Sequence, residues 1–143
     1  MRIREVVAAK PDSTVVTVPP GATVRELVGL LAEHNVGALV VSSDGASMDG
    51  IVSERDVVRR LHTDPDVLSA TVESIMTGSV HTCAPDDNLD DMMSVMTERR
   101  IRHVPVCDGK RLVGIISIGD VVKHKISALE FERDQLDSYV HQS

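Results

Sequence analysis

One stretch of the sequence occurs twice, and this duplication limits what the chain can fold into. Residues 50–58 read GIVSERDVV, and residues 114–122 read GIISIGDVV. In each copy a glycine and two β-branched residues predict a buried strand, and an apolar pair after Ser-x-x-Asp opens a helical pattern. Each copy is therefore predicted to run from a strand directly into the N-terminus of a helix.

The Ser-x-x-Asp sequence within each copy supports two interpretations. It resembles a capping box, in which the serine oxygen accepts a hydrogen bond from the third helical N–H and the acid reaches back. The same junction offers free N–H groups and the positive end of the helix dipole, which suit an anionic group such as a phosphate. Duplication would preserve either feature, so the sequence leaves both interpretations open.

The duplication extends over the rest of the chain. Residues 15–20 correspond to 80–85, and the apolar positions of the helix after Thr23 recur 65 residues later in the sequence. Each repeat is predicted to be β-α-β-β-α, with strands in the first repeat at 14–18, 37–41 and 51–52, and helices after Thr23 and at 54–62. Neither repeat can bury its sheet alone, so we expect an α/β (α+β) fold in which the two share a core about a pseudo-twofold axis.

The predicted domain boundary lies between residues 70 and 71. Domain 1 (1–70) includes a short lead-in helix at 3–9, and domain 2 (71–143) includes a connector and a C-terminal helix from Val121 to about Val140. That last helix has an apolar face. Because an amphipathic helix of this kind usually finds a partner, we expect a homodimer.

Composition argues against several classes of protein. The 143 residues carry a net charge of −7 and no tryptophan, so neither a basic surface nor stacking platforms for nucleic acid are expected. No apolar run is long enough to span a bilayer and no leader pattern opens the chain, so we expect a cytoplasmic protein without membrane contact.

The two cysteines, Cys83 and Cys107, fit no CxxC pattern and are expected to act as small apolar groups. His103 near Cys107 could begin a zinc site, but no second pair is spaced to complete four ligands, so no metal site is predicted. No serine, cysteine or threonine lies in a recognisable nucleophile context, and no catalytic residue is predicted.

With the repeats in place, the chain resembles a tandem pair of CBS domains, the module named after cystathionine β-synthase. The resemblance covers nearly the whole sequence. Besides the two Gly-h-h-Ser-x-x-Asp junctions, in which h is an apolar residue, it includes segments 34–41, 74–77 and 102–106. The stretch 130–139 is similar to the tail of small stand-alone bacterial CBS-pair proteins.

The resemblance implies a flat module that binds AMP, ADP, ATP, NAD or S-adenosylmethionine in clefts between the repeats. It assigns ribose hydroxyls to Asp56 and Asp120, and phosphate to Ser53 and Ser117 beside the helix N-termini. It also implies apolar walls for adenine and basic groups for phosphate. The walls would be Val52, Ile116, Leu39 and Val104, and the basic candidates are Arg102, His103 and Arg55.

The two clefts are predicted to differ, because Gly37-Ala38 stands where the second repeat has Arg102-His103. We therefore expect phosphate to bind more tightly in the cleft that Arg102 reaches. The function favoured is a non-catalytic regulatory module that senses an adenine nucleotide, needs no cofactor and acts on an unidentified regulated protein. The alternative is a structural dimerisation protein with empty clefts, which ligand-dependent thermal stabilisation would distinguish.

Overall fold

The computed structural model describes residues 1–10 and 15–141. It confirms the mixed α/β class. The elements within these residues are α1 (Ile3–Ala9), β1 (Thr17–Val18), α2 (Val24–His34), β2 (Ala38–Val41), β3 (Gly50–Ser53), α3 (Glu54–Thr63), α4 (Val72–Ile75), α5 (Leu89–Arg99), β4 (His103–Asp108), β5 (Arg111–Ser117) and α6 (Ile118–His141). Among the described helices none is both long and apolar enough to cross a membrane.

The strands form two small sheets, one in each repeat. In the first repeat β2 lies between β1, to which it is parallel, and β3, to which it is antiparallel. In the second repeat β4 and β5 form an antiparallel pair. The predicted strand 14–18 is described only from residue 15 onward, since Thr14 lies outside the described residues, and its paired part is β1.

The repeat pattern predicts a strand at 80–83 as the counterpart of 15–18, and this prediction is wrong, because the structure has only a single bridge between Cys83 and Val106 there. The Cys83 N–H donates to Pro105 O (3.0 Å), and the Cys107 N–H donates to Cys83 O (2.8 Å). Beyond this bridge the backbone turns toward α1, where Pro85 O accepts a hydrogen bond from the Arg4 N–H (2.9 Å). The ladder therefore stops after one residue.

Matching backbone features confirm the duplication. Helices α2 and α5 are capped by the next residues, Asn35 and Arg100, which both adopt the left-handed conformation, with φ of 52° and 55°. The next N–H, of Val36 or Ile101, then donates back across the helix end over 3.1 Å in both repeats. The two repeats thus close the same helix in the same way, with a motif that satisfies carbonyls left over at a C-terminus.

The buried residues form two clusters, one on each repeat, rather than the single shared core that the sequence analysis predicts. Each cluster is nevertheless completed from across the predicted boundary at residues 70 and 71. Ile3 and Val6 of α1 pack into the second repeat, whereas Val72 and Ile75 of α4 pack into the first. This exchange joins the two repeats, because α1, which precedes the first repeat, packs into the second, and α4, which precedes the second sheet, packs into the first.

Candidate functional site

Both Ser-x-x-Asp junctions form capping boxes, so the capping interpretation is confirmed in each repeat. At the start of α3 the Asp56 N–H donates to Ser53 Oγ (3.3 Å), and the Ser53 N–H donates to Asp56 Oδ2 (2.8 Å). At the start of α6 the corresponding distances between Ser117 and Asp120 are 3.1 and 2.9 Å. In each box the described hydrogen bonds end on Oδ2, and both carboxylates are only half-buried. The other oxygen, Oδ1, remains an acceptor for a further donor.

The Asp120 carboxylate differs from its counterpart because a lysine from the start of the chain reaches it. Lys10 Nζ lies 3.0 Å from Asp120 Oδ2 and donates to Ile115 O over 2.9 Å. Burial raises the pKa of Asp120, but the hydrogen bonds from Ser117 and Lys10 outweigh burial, and the pKa is lowered from its ordinary value. Among the described residues Asp56 has no ion-pair partner, so the two acidic groups have different charge environments.

A cavity of about 580 Å³ opens beside the first-repeat junction, between that repeat and the second. Its lining residues come from β3, from the connector that follows α4 (residues 77–81), and from the end of α5 with the start of β4. They are Ile51, Thr77, Ser79, Val80, His81, Arg99, Ile101 and His103. The connector is fixed to β3 by two hydrogen bonds, from the Ile51 N–H to Thr77 O (3.0 Å) and from the Thr77 N–H to Ile51 O (2.9 Å). The cavity therefore combines apolar walls with three basic side chains, those of His81, Arg99 and His103.

His103 packs over Gly37 at the contact between the repeats. A Cβ at Gly37 would lie 3.4 Å from the imidazole Cε1 and 3.5 Å from Glu54 Oε1. Because Gly37 has no side chain, the imidazole ring of His103 fits against the backbone of the first repeat at this position. Burial lowers the pKa of His103, although the nearby carboxylates of Glu54 and Asp120 oppose this shift.

The lowered pKa of His103 predicts a pH dependence of stability. Between the ordinary histidine pKa of about 6.5 and the lower folded value, the unfolded chain binds more protons, so stability falls as the pH falls. Replacing His103 by glutamine should reduce the loss of stability between about pH 7.5 and about pH 5.5. Urea unfolding of both proteins at the two pH values measures this difference. An unchanged pH dependence in the variant would show that other groups cause it.

The structure separates the remaining predicted site residues into core and surface. The four predicted adenine walls are buried, with exposures of 0–3%, and belong to the two apolar clusters. They are Val52, Ile116, Leu39 and Val104. Side chains alternate along a strand, so the neighbour Ile51 points into the cavity instead of Val52. On β3, Ile51 therefore lines this cavity, and the predicted Val52 does not.

Two predicted arginines lie on the surface. Arg55 and Arg102 are exposed and are not among the residues that line the cavity, whereas Arg99 does line it. Lys10 was missed altogether. Its only sequence signal is a basic residue before a proline, which does not reveal a contact with the far end of the chain.

The cysteines are not arranged for reaction. Both thiols are free, Cys83 is buried, and burial raises the pKa of Cys83 to about 12. This confirms the predicted role of Cys83 as a small apolar group, since a protonated thiol is a poor nucleophile. No group of three or more potential metal-ligating side chains occurs among the residues that the structure describes.

The sequence profile of the CBS domain matches two segments of the chain, residues 3–63 and 72–127. The chain belongs to the CBS-domain family. Its two CBS domains coincide with the two repeats, and the second match ends within α6. As a CBS pair, the protein places its two Ser-x-x-Asp capping boxes at equivalent points of the two domains.

Similar proteins and structures contain CBS domains as well. The mitochondrial CBS domain-containing protein CBSX3 of Arabidopsis thaliana is 37% identical over 82% of this chain, which spans 60% of the length of that relative. The CBS-domain containing protein ATU1752 of Agrobacterium tumefaciens is 40% identical with a TM-score of 0.81, covering 87% of this chain and 92% of that chain.

Two further similar structures contain ligands. The CBS pair of MJ0100, solved with 5-methylthioadenosine and S-adenosylmethionine, is 25% identical with a TM-score of 0.78, covering 90% of this chain and 98% of that one. CBSX2, solved with AMP, is 26% identical with a TM-score of 0.74, and the match covers 92% of this chain and 98% of the CBSX2 chain. All of these ligands contain adenosine. The family therefore includes modules that bind adenosine-containing molecules.

Proposed function

We propose that this CBS pair is a non-catalytic regulatory module that binds adenosine-containing ligands in the clefts between its domains. AMP, ADP and ATP are the preferred candidates, with NAD and S-adenosylmethionine as further ones. The observation that carries the proposal is the 580 Å³ cavity, which joins Ile51, two residues before the capping serine of α3, to the basic residues Arg99 and His103. The adenosine compounds in the similar structures of MJ0100 and CBSX2 support the ligand class.

In this proposal each part of the nucleotide meets a chemically suitable group. Ile51 and Ile101 provide the apolar walls for adenine. Asp56 does not line this cavity but follows β3 at the start of α3, and its Oδ1 is proposed to accept from the ribose hydroxyls. The phosphates face Arg99 and His103, whose charged or polar N–H groups donate to phosphate oxygens. Arg102 and Arg55 remain proposed phosphate contacts through movement of their exposed side chains.

The second cleft, around Ser117 and Asp120, is proposed to bind more weakly in the unliganded arrangement. Lys10 Nζ already lies 3.0 Å from Asp120 Oδ2, so the ion pair offsets the negative charge of this carboxylate and makes its Oδ1 a weaker acceptor for ribose hydroxyls. A ligand with phosphates could instead draw Lys10 toward itself, because an ammonium interacts more strongly with an anion than with a neutral hydroxyl. The two clefts would then differ in both affinity and ligand preference.

We further propose that the protein acts in the cytoplasm, without binding nucleic acid or membrane, and reports ligand occupancy to an unidentified regulated protein. The net charge of −7 supports the exclusion of nucleic acid. A ligand that binds the folded state raises the melting temperature by mass action. We expect at least one of AMP, ADP, ATP, NAD and S-adenosylmethionine to do so. If none does, the alternative of a structural protein with empty clefts is favoured.

Arginine variants should show where phosphate binds in the first cleft. We expect Arg99→Ala to weaken AMP binding by about fivefold to tenfold, with a smaller loss for Arg102→Ala, since a hydrogen bond to a charged group contributes about 1.5–3 kcal/mol before solvent exposure reduces it. Adenosine should bind almost unchanged in both. Calorimetry with AMP and adenosine measures the difference, and Arg25→Ala, on the exposed side of α2, is the control. Equal losses for AMP and adenosine would contradict the assignment.

A further inference from the structure

Helix α6 carries a regular apolar seam that the CBS fold does not cover. Its members are spaced alternately by four and three residues, the a and d positions of a heptad repeat. They are Val122, Ile126, Leu129, Arg133, Leu136 and Val140. Val122 is 41% exposed, Ile126 and Leu129 are each 51% exposed, and Leu136 is 66% exposed. Such a seam is typical of a helix that pairs with another helix.

The base of α6 is held so that this seam points away from the fold. Val121 is fully buried in the apolar cluster of the second repeat, whereas its neighbour Val122 is exposed. Lys125 Nζ lies 3.0 Å from Asp90 Oδ1 on α5, which fixes the side of the helix next to the seam. The remaining turns are exposed as far as the last described residue.

The charges that flank the seam change sign along the helix. Lys123 and Lys125 lie near its start, and Glu130, Glu132 and Asp137 lie further along. These residues occupy the e and g positions, which set partner orientation in coiled coils. A parallel pair would bring the two copies of Arg133 together in one layer and place Glu132 beside Asp137 of the second copy, although Lys125 would lie beside Glu130. An antiparallel pair instead brings the basic start of one helix close to the acidic end of the other.

The seam is also complementary to itself in the antiparallel direction. With residue 131 at the centre, one alignment pairs Ile126 with Leu136 of the second copy and Leu129 with Arg133 of the second copy. It also places Lys123 opposite Asp137 of the second copy. A single charged residue at an a position, here Arg133, fixes register and alignment at some cost in stability.

We propose that α6 pairs with α6 of a second copy of this chain as an antiparallel coiled coil, centred near residue 131. The partner is a second copy because the apolar layers and the flanking charges match the same helix in reverse. The pairing uses no residue that lines the 580 Å³ cavity, whereas Lys123 also lines the small cavity beside Asp120. The paired segment 122–140 is about 28 Å long.

Sedimentation velocity of the full chain without nucleotide tests the pairing. We expect a dimer at micromolar concentration, a monomer for the double variant Ile126→Glu with Leu136→Glu, and a dimer for the control Phe131→Glu. Phe131 is 65% exposed on the same helix but lies at an f position outside the seam. Circular dichroism and thermal unfolding confirm that each variant folds. A monomeric parent protein, or a dimer that survives the double variant, would overturn the proposal.

Disulfide trapping tests the orientation. Ile126→Cys and Leu136→Cys proteins, made separately, should each remain uncrosslinked but form a covalent heterodimer when mixed and oxidised. In the antiparallel alignment two copies of residue 126 lie about 15 Å apart, beyond the reach of a disulfide. The unmodified chain controls for Cys83 and Cys107. Crosslinking of either variant with itself would show a parallel pair, and the absence of any crosslink in the mixture would also overturn the orientation.

Discussion

Replacing Asp56 by alanine is expected to weaken AMP binding about tenfold or more while leaving the protein folded. The variant removes the proposed acceptor of the ribose hydroxyls, and hydrogen bonds to a charged group contribute about 1.5–3 kcal/mol. It also removes half of the capping box of α3, so the free energy of unfolding should fall by about 0.5–2 kcal/mol. Calorimetry and urea unfolding measure the two effects on the same variant.

The chain contains a matched control for the capping effect alone. Thr23 and Glu26 form the same reciprocal box at the start of α2, with both hydrogen bonds at 3.1 Å, and neither residue lines the described cavity between the repeats. Glu26→Ala should lower stability by a similar amount and leave AMP affinity unchanged. If Asp56→Ala behaves in the same way as Glu26→Ala, then Asp56 is a cap without a role in binding.

Replacing Gly50 by alanine is expected to produce the largest loss of stability among the glycine positions. A Cβ at Gly50 would lie 2.7 Å from Thr77 O and 2.8 Å from Met76 Sδ. The methionine side chain can move, but the carbonyl belongs to the connector that is hydrogen-bonded to Ile51. Overpacking of this kind costs about 1–3 kcal/mol. Because the connector also lines the cavity, AMP affinity should fall together with the denaturation midpoint.

Gly29 provides the control for the added methyl group. It lies inside α2, and a Cβ there would meet nothing within 4 Å. Gly29→Ala should therefore raise the free energy of unfolding by about 0.5–1 kcal/mol, since alanine has the higher helix propensity. Urea unfolding of both variants gives the comparison. A Gly50→Ala protein as stable as the parent would mean that the connector moves freely, and the cavity would then lack a fixed wall.

The features predicted correctly from sequence are those that short segments determine. The capping boxes at Ser53 and Ser117 each depend on two residues three positions apart, and the structure contains both. Helix α6 follows from its periodicity, although it begins three residues earlier than predicted and continues to His141. The repeat architecture could be predicted because the sequence pattern of the first repeat recurs in the second.

The features that were missed depend on contacts between distant segments. Nothing near Lys10 indicates that its ammonium reaches Asp120 at the other end of the chain. The exchange of α1 and α4 between the apolar clusters is likewise invisible in the local pattern, since both helices have ordinary apolar faces. On β3 the alternation of Ile51 and Val52 was readable, but which face meets the core depends on how α2 and α4 pack against the sheet.

The most direct test of the proposed function is methyl NMR of the full chain during titration with AMP, ATP and S-adenosylmethionine. We predict that at least one ligand shifts the methyl signals of Ile51 and Ile101, which line the cavity, in a saturable manner. The signal of Ile3, which is fully buried beside the second sheet, should move much less. If saturating concentrations of all three ligands leave Ile51 and Ile101 unchanged, the cavity is not an adenosine site and the proposed function is contradicted.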